Sequence, residues 1–228
     1  MSIYKFKNPL YHGSRGGIVG HIQPVSRIRC DFGQGFYMGT NPIQAKTLVA
    51  NDQAPYFYKL ELDIGKLQET RILELKDMEW AYFVLYNRGK LECLKGTDFY
   101  KNYKYMSNEK DLIVGPIADD AMNEAMNRFV NNLITDKAFL ESIKALDYGI
   151  QYVAKTEEAC NCIRILEERE LYGKELDDAI ARTAENRKMG RSMAEKMQVQ
   201  YLRQGNYFVE ILREIQQTQQ HFSKGVEK

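Results

Sequence analysis

The sequence is poor in metal ligands and disulfide partners, since its 228 residues include only four cysteines and three histidines. Cys160 and Cys162 are the only closely spaced cysteines. They fall in a predicted helix, where positions i and i+2 point to different faces. Structural zinc sites usually combine two close pairs of ligands. We therefore expect neither a metal ion nor a disulfide framework.

The chain also lacks a strong charge of either sign and any long apolar run. Its formal net charge is +1, which gives no bulk electrostatic case for nucleic-acid or membrane binding. No apolar stretch approaches the roughly 18 residues that a membrane span needs. The first residues show no apolar segment followed by a small-residue cleavage site. We expect a cytoplasmic protein without a membrane partner.

Hydrophobic periodicity predicts a mixed α+β fold followed by helices alone. Predicted strands cover residues 3–12, 36–38, 56–63, 71–75, 112–117 and 148–153. Helices are predicted to start at Thr40 or Asn41, at Asp77, at Asp119 or Asp120, near Phe139 and at Thr156, with residues 95–110 irregular. From residue 174 onward, the pattern predicts helices separated near Gly190 and Gly205. We predict an α+β domain over residues 1–173 and a helical extension over 174–228.

The helical extension carries two apolar stripes. Met189, Met193, Met197 and Tyr201 follow one another at four-residue spacing, and a second stripe begins at Tyr207 and Phe208. Such stripes need an apolar partner. Three arrangements would provide one: packing within the chain, a homo-oligomer, or binding of an inhibitor or another protein.

Two short motifs carry the chemistry that this sequence suggests. The first contains His12, Gly13 and Ser14, and the second contains Gly35, Phe36 and Tyr37 after Asp31-Phe32-Gly33-Gln34. Glycines beside each motif would let a ligand approach the backbone closely. Taken singly, a histidine at a strand end and a tyrosine between two apolar residues are most simply structural. Their joint pattern is the informative feature.

That joint pattern resembles the NAD-binding signature of ADP-ribosyltransferases. The resemblance is closest to a bacterial family of uncharacterised ADP-ribosyltransferase-like proteins and covers about residues 8–170. It includes the later segments 111–120 and 151–159. The resemblance implies a split pair of small β-sheets with peripheral helices, and NAD as co-substrate without a metal.

The resemblance also assigns roles to individual residues. His12 would bond a ribose hydroxyl of the adenosine half of NAD, and the Gly13 backbone would hold the nicotinamide carboxamide with help from Ser14. Tyr37 would stack on the nicotinamide ring, beside Gly35 and Phe36. These roles suit an imidazole that donates and accepts hydrogen bonds and an aromatic face that supports a flat heterocycle.

Gln151 is the main departure from the family pattern, because these enzymes often carry a glutamate at the matching position. A glutamine can bond a ribose hydroxyl, but it has no charge and cannot act as a general base. We therefore expect transfer of single ADP-ribose units rather than chain extension, with His12, Tyr37 and Gln151 as the catalytic set. A strand glutamine that faces solvent is the structural alternative.

Other charged residues near these motifs have simpler explanations. Glu157 and Glu158, like Asp119 and Asp120, stand where carboxylates favour the start of a helix. Three arginines between the motifs could contact the NAD pyrophosphate through their guanidinium groups; they are Arg15, Arg27 and Arg29.

The sequence thus predicts a mono-ADP-ribosyltransferase that modifies a protein or a nucleic acid, in a role resembling that of a toxin or defence effector. A second hypothesis is a catalytically silent NAD-binding or interaction module, in which Gln151 marks lost chemistry. A third is NAD hydrolysis with water as the acceptor.

Overall fold

The structure is a computed structural model that describes residues 5–118, 120–145 and 149–225. A mixed sheet of seven strands forms its centre, which confirms the predicted α+β class. The strands are β1 (Leu10–Ser14), β2 (Phe36–Gly39), β3 (Tyr56–Leu62), β4 (Ile72–Glu74), β5 (Leu112–Pro116), β6 (Ile150–Ala154) and β7 (Ile163–Glu170). The helices are α1 (Pro42–Thr47), α2 (Asp77–Asn87), α3 (Asp98–Tyr105), α4 (Asp120–Val130), α5 (Asp136–Ala145), α6 (Glu157–Asn161), α7 (Gly173–Gln200) and α8 (Phe208–Gly225).

The strands lie in the order β4-β5-β6-β2-β1-β3-β7, and within the described residues β4 and β5 are the one parallel pair. The sheet narrows at its middle, because β1 and β2 pair at one position, Tyr11 opposite Gly39. By contrast, β1 pairs with β3 along its whole length. The prediction of two separate small sheets is therefore corrected to one continuous sheet, since this single pair still joins the two halves.

Alternation along the strands separates two faces of the sheet. We call the face that carries Tyr11, Tyr37 and Gln151 the front face, and the opposite face the back face. A single apolar cluster covers the back face and includes Leu10 and Phe36. Among the described residues, the front face carries a large cluster around Trp80 and a small one of Ala45, Val49, Phe57 and Leu171. Tyr11 and Tyr37 therefore lie where the two front clusters adjoin.

Local signals explain the helices that flank this part of the sheet. Asn41 caps α1, because its Oδ1 accepts hydrogen bonds from the backbone N–H groups of Ile43 and Gln44, and Pro42 opens the helix. Thr156 caps α6 in the same way by accepting from the N–H of Ala159. Both predicted caps are confirmed.

Other predicted elements need correction. The first strand begins at Leu10, and the described residues before it, 5–9, are not strand, while Ile3 lies outside the described residues. Helix α3 occupies part of the segment predicted to be irregular. Strand β7 was not predicted, because its Glu- and Arg-rich sequence lacks an apolar face.

Helix α7 continues through Gly190, where a break was predicted, while the break at Gly205 is confirmed. Asp77 is the first residue of α2, and the N-cap position is occupied by Lys76, whose side chain makes no capping hydrogen bond. Asp119 lies outside the described residues.

The helical extension packs on the rest of the chain. Helix α7 contacts α1, α4 and α5, and α8 contacts α4. Phe208 at the start of α8 is 5% exposed, and its ring lies 5.2 Å from that of Phe129. Met193 and Tyr201 of the first stripe also pack against the Trp80 cluster. Packing within the chain therefore accounts for much of both stripes.

If the extension is part of the core, Phe208→Ala should lower the free energy of unfolding by about 3 kcal/mol, the usual cost of removing a buried aromatic side chain. The neighbouring Val209→Ala, at a position that is 36% exposed, should cost about 1 kcal/mol or less. Urea unfolding followed by circular dichroism measures both. Equal losses for the two variants would mean that α8 does not contribute Phe208 to the core.

Candidate functional site

The predicted site residues lie on three adjacent strands, but they do not share one face. β1 carries His12 and β2 carries Tyr37, while Gln151 is on β6, where it lies opposite Gly39. Tyr37 and Gln151 therefore lie on the front face. The His12 ring packs on the back-face residue Phe36, with ring centroids 4.5 Å apart. His12 and Tyr37 meet instead at the gap between β1 and β2.

His12 bridges that gap. Its Nδ1 lies 2.7 Å from the backbone carbonyl oxygen of Tyr37. Because a carbonyl only accepts hydrogen bonds, Nδ1 carries the proton and Nε2 holds a lone pair. Burial lowers the pKa of His12 to about 4, although the hydrogen bond to Tyr37 opposes this shift. At neutral pH, His12 is an uncharged imidazole with Nε2 as an acceptor.

Gly13 stands at an edge of β1 that β2 does not cover, because the two strands pair only at Tyr11 and Gly39. The space that a side chain at position 13 would occupy is already filled by α1 and the residues that follow it. A Cβ atom at Gly13 would come within 2.2 Å of the Ala45 carbonyl oxygen in α1 and 3.1 Å of Val49. A ligand can therefore meet the Gly13 backbone only from the strand edge, and glycine is required there for packing.

Tyr37 holds the loop that precedes it. Its hydroxyl donates to the carbonyl oxygen of Gly33 at 2.7 Å and accepts from the N–H of Phe32 at 2.9 Å. Burial raises the pKa of Tyr37 well above its usual value. The Tyr37 hydroxyl thus already has a donor and an acceptor within the loop. The partly buried ring is the part of Tyr37 that could contact a ligand.

We call residues 31–35 the Asp31–Gly35 loop, and further contacts fix it in place. The Lys155 ammonium donates to the carbonyl oxygen of Phe32 at 2.7 Å and also to that of Gln34. Burial lowers the pKa of Lys155 to about 8. Gly35 lies so close to β6 that a Cβ atom there would be 2.7 Å from the carbonyl oxygen of Ala154. Gly35 is thus needed for packing.

Gln151 is buried, with 6% of its surface exposed, so the alternative of a solvent-facing glutamine is wrong. Its Nε2 donates to the carbonyl oxygen of Pro116 at 3.0 Å. This hydrogen bond holds the amide end of Gln151 against the carbonyl group at the end of β5.

Asp31 forms an ion pair with Arg88, and sequence reasoning did not identify either residue as part of the site. The Arg88 Nε lies 2.8 Å from Asp31 Oδ1, and a second guanidinium nitrogen bonds the same oxygen. Both side chains are 16% exposed. Burial nevertheless leaves the pKa of Asp31 raised above its usual value. Asp31 lay within the quoted motif, whereas nothing in the local sequence marks Arg88.

Three further residues that were predicted to contact a ligand already contact other parts of the protein. Ser14 Oγ donates to the carbonyl oxygen of Gly17 at 3.0 Å. Arg15 forms a partly exposed ion pair with Asp52, at 3.1 Å. Phe36 is 5% exposed and belongs to the back-face core. Of these residues, Arg15 keeps the most exposed side chain, so it is the one best placed to bind a phosphate.

Two further observations concern metal binding and membrane spans among the described residues. Their His, Cys, Asp and Glu side chains form no group of three or more that could hold a metal ion. No helix in this part of the chain is both long enough and apolar enough to cross a membrane.

Comparison with known proteins places the chain in a family. Residues 9–165 match the family described as "Protein of unknown function (DUF3990)". The chain belongs to this family. The match spans the sheet from β1 into β7 and includes every residue of the candidate site. No curated protein and no solved structure matches the chain.

The low pKa of His12 predicts a pH dependence of stability. The unfolded chain takes up a proton near pH 6.5 and the folded chain only near pH 4. The free energy of unfolding should therefore fall as the pH drops from 6.5 towards 4, by up to about 1.4 kcal/mol per pH unit from this group.

Chemical denaturation of wild type and His12→Gln across this pH range measures the effect, because glutamine does not titrate and can still donate to Tyr37. The variant should lose less stability than wild type on acidification. His21→Gln, at an exposed position, is the matched control and should follow wild type. Parallel curves for wild type and His12→Gln would show that His12 is not held neutral.

Proposed function

We propose that this chain is a mono-ADP-ribosyltransferase with an ADP-ribosyltransferase-like fold that cleaves NAD and transfers ADP-ribose to a macromolecule. One observation carries the proposal. The sheet narrows to a single residue pair, which leaves the His12–Ser14 edge of β1 unpaired with β2 beside Tyr37. A strand edge without a paired strand offers backbone N–H and C=O groups, the partners that a primary amide such as nicotinamide needs.

Three further groups around this edge match the parts of NAD. The neutral His12 offers Nε2 to a ribose hydroxyl of the adenosine half, while its Nδ1 is fixed by Tyr37. The Tyr37 ring supplies an aromatic surface for nicotinamide on the front face. Arg15 is exposed enough to exchange Asp52 for a pyrophosphate oxygen.

The reaction breaks the bond between nicotinamide and C1′ of its ribose. Nicotinamide leaves as a neutral molecule with the bonding electron pair, and positive charge builds on the ribose ring. A nucleophilic oxygen, nitrogen or sulfur of the target bonds C1′, and its proton passes to solvent. Gln151 cannot take that proton, so an activated group on the target is favoured over a hydroxyl of bound ADP-ribose. Single-unit transfer is the expected outcome.

Incubation of the purified chain with NAD labelled on its adenine tests the proposal. Free nicotinamide is measured alone and with mixed cellular protein or total RNA, and labelled acceptors are collected. Both His12→Ala and Tyr37→Ala should reduce nicotinamide release at least about tenfold, since each removes at least one ligand contact worth about 1.4 kcal/mol. His21→Ala controls for loss of a histidine outside the site.

The outcomes separate the hypotheses. Label attached to protein or RNA, lost in the two site variants, supports transfer. Release of nicotinamide without a labelled macromolecule indicates NAD hydrolysis, and NAD binding without release indicates a silent module. If wild type and both site variants release nicotinamide at the same background rate under every condition, the enzyme hypothesis is wrong.

A further inference from the structure

The Asp31–Gly35 loop is bound by a cation that has no carboxylate partner. The Lys155 ammonium donates to the carbonyl oxygen of Phe32 at 2.7 Å and to that of Gln34. Within the part of the chain that the structure describes, Lys155 forms no ion pair. Burial of an ammonium without an opposite charge is costly unless hydrogen bonds compensate for the lost water. The two loop carbonyl groups provide this compensation, so the ammonium and the loop stabilise each other.

Successive carbonyl groups of the loop bind two different side chains. Those of Phe32 and Gln34 accept from Lys155. The carbonyl group of Gly33, between them, accepts from the Tyr37 hydroxyl at 2.7 Å. Gly33 has a φ of 72°, in the left-handed region that favours glycine, and a Cβ atom there would lie 3.3 Å from the Lys155 nitrogen. The turn at Gly33 thus presents the loop to Lys155 and Tyr37 at once.

The loop in turn determines where the Tyr37 ring lies. The Tyr37 hydroxyl donates to the Gly33 carbonyl group and accepts from the Phe32 N–H, and both groups belong to the loop. A ring that is bonded at its tip moves with the groups that hold the tip. Phe32 bonds Tyr37 through its N–H and Lys155 through its carbonyl group. A shift of the loop away from Lys155 would therefore shift the ring as well.

We propose that Lys155 is a positioning residue, which holds the Asp31–Gly35 loop so that the Tyr37 ring is in place before NAD binds. This inference rests on the proposed NAD-cleaving function and extends it to a residue that acts through the loop. If the loop is released, only a fraction of the molecules presents the ring, and the apparent affinity for NAD falls by that fraction. The effect falls mainly on KM, because bound NAD itself selects the ordered loop.

The charge of Lys155 depends on pH within an accessible range. Burial lowers the pKa of Lys155 to about 8, and an electrostatic contribution from Cys30 opposes this shift. A neutral amine donates weaker hydrogen bonds than an ammonium, so loss of the proton should loosen the loop. The other charged side chains on the elements around Lys155 are paired or exposed; they are Asp31 with Arg88, Asp111 with Arg71, and the exposed Glu157 and Glu158.

Nicotinamide release from NAD by the full chain tests the inference. Lys155→Met keeps an unbranched side chain but removes the donors, and the KM for NAD should rise at least about tenfold, as expected for a lost hydrogen bond to a charged group. The kcat should change less than about threefold. Lys155→Arg keeps the charge and the donors, so at neutral pH its KM should stay within about threefold of wild type. Lys137→Met removes a 42% exposed ammonium that pairs with Glu141 in α5, and this matched control should behave as wild type.

The pH profile is the readout that a merely structural role would not change. The kcat/KM of wild type should fall as the pH rises above about 8, where Lys155 loses its proton. Neither His12 nor Tyr37 changes its protonation state in this range. Lys155→Arg should not show the fall, because a guanidinium stays protonated. Lys155→Met should have a low kcat/KM without the fall, since methionine does not titrate.

Hydrogen exchange of residues 31–35 measures the loop itself, without substrate. The loop N–H groups that have acceptors are those of Phe32, Gly33 and Gly35. They should exchange at least about threefold faster in Lys155→Met than in wild type, because the loop opens more often. Circular dichroism shows whether the variant is folded. If it is not, the pH profiles of wild type and Lys155→Arg still decide.

The outcomes separate this inference from the proposed function. If wild type releases no nicotinamide above background, the proposed function fails and this inference fails with it. If wild type is active but folded Lys155→Met keeps the KM and the loop exchange of wild type, only the inference is overturned. The same holds if Lys155→Arg loses kcat/KM over the same pH range as wild type.

Discussion

The junction between β1 and β2 is the constraint on which the candidate site depends. Antiparallel strands normally satisfy their facing backbone groups with each other, but these two separate after Tyr11 and Gly39. The imidazole of His12 supplies a donor to the Tyr37 carbonyl where the next strand would have supplied one. This contact requires a proton on Nδ1, and burial keeps the ring uncharged at neutral pH, so the hydrogen bond and burial together fix the tautomer of His12.

The same junction explains why the Asp31–Gly35 loop is so strongly held. The chain leaves β1 after Ser14 and starts β2 at Phe36, so residues 15–35 connect the two strands across the gap. Tyr37 and Lys155 anchor the end of this connection through backbone atoms of Phe32, Gly33 and Gln34. These anchors also hold Asp31, the first residue of the loop, where it pairs with Arg88.

Sequence patterns predicted the elements whose signals are local. Asn41 and Thr156 carry their own capping oxygens, and β3 shows the alternation of a half-buried strand. Strand β7 has mostly exposed side chains, and its identity as a strand comes from pairing with β3, which no local pattern encodes. The residues of the candidate site show the same difference between local and non-local signals. A motif marked Tyr37, but Arg88 reaches Asp31 across 57 residues and could not be found by spacing.

The charge state of the site has a consequence for the chemistry that we propose. His12 is neutral, Gln151 is uncharged, and Asp31 is paired with Arg88. NAD already carries positive charge on its nicotinamide ring before the reaction, so a free carboxylate would stabilise the ground state as well as the transition state. Uniform stabilisation of both states lowers KM without raising kcat. In the proposed reaction, the Gln151 amide that Pro116 holds would instead act through its dipole on the charge that develops during bond cleavage, and this is how a neutral glutamine would support the reaction.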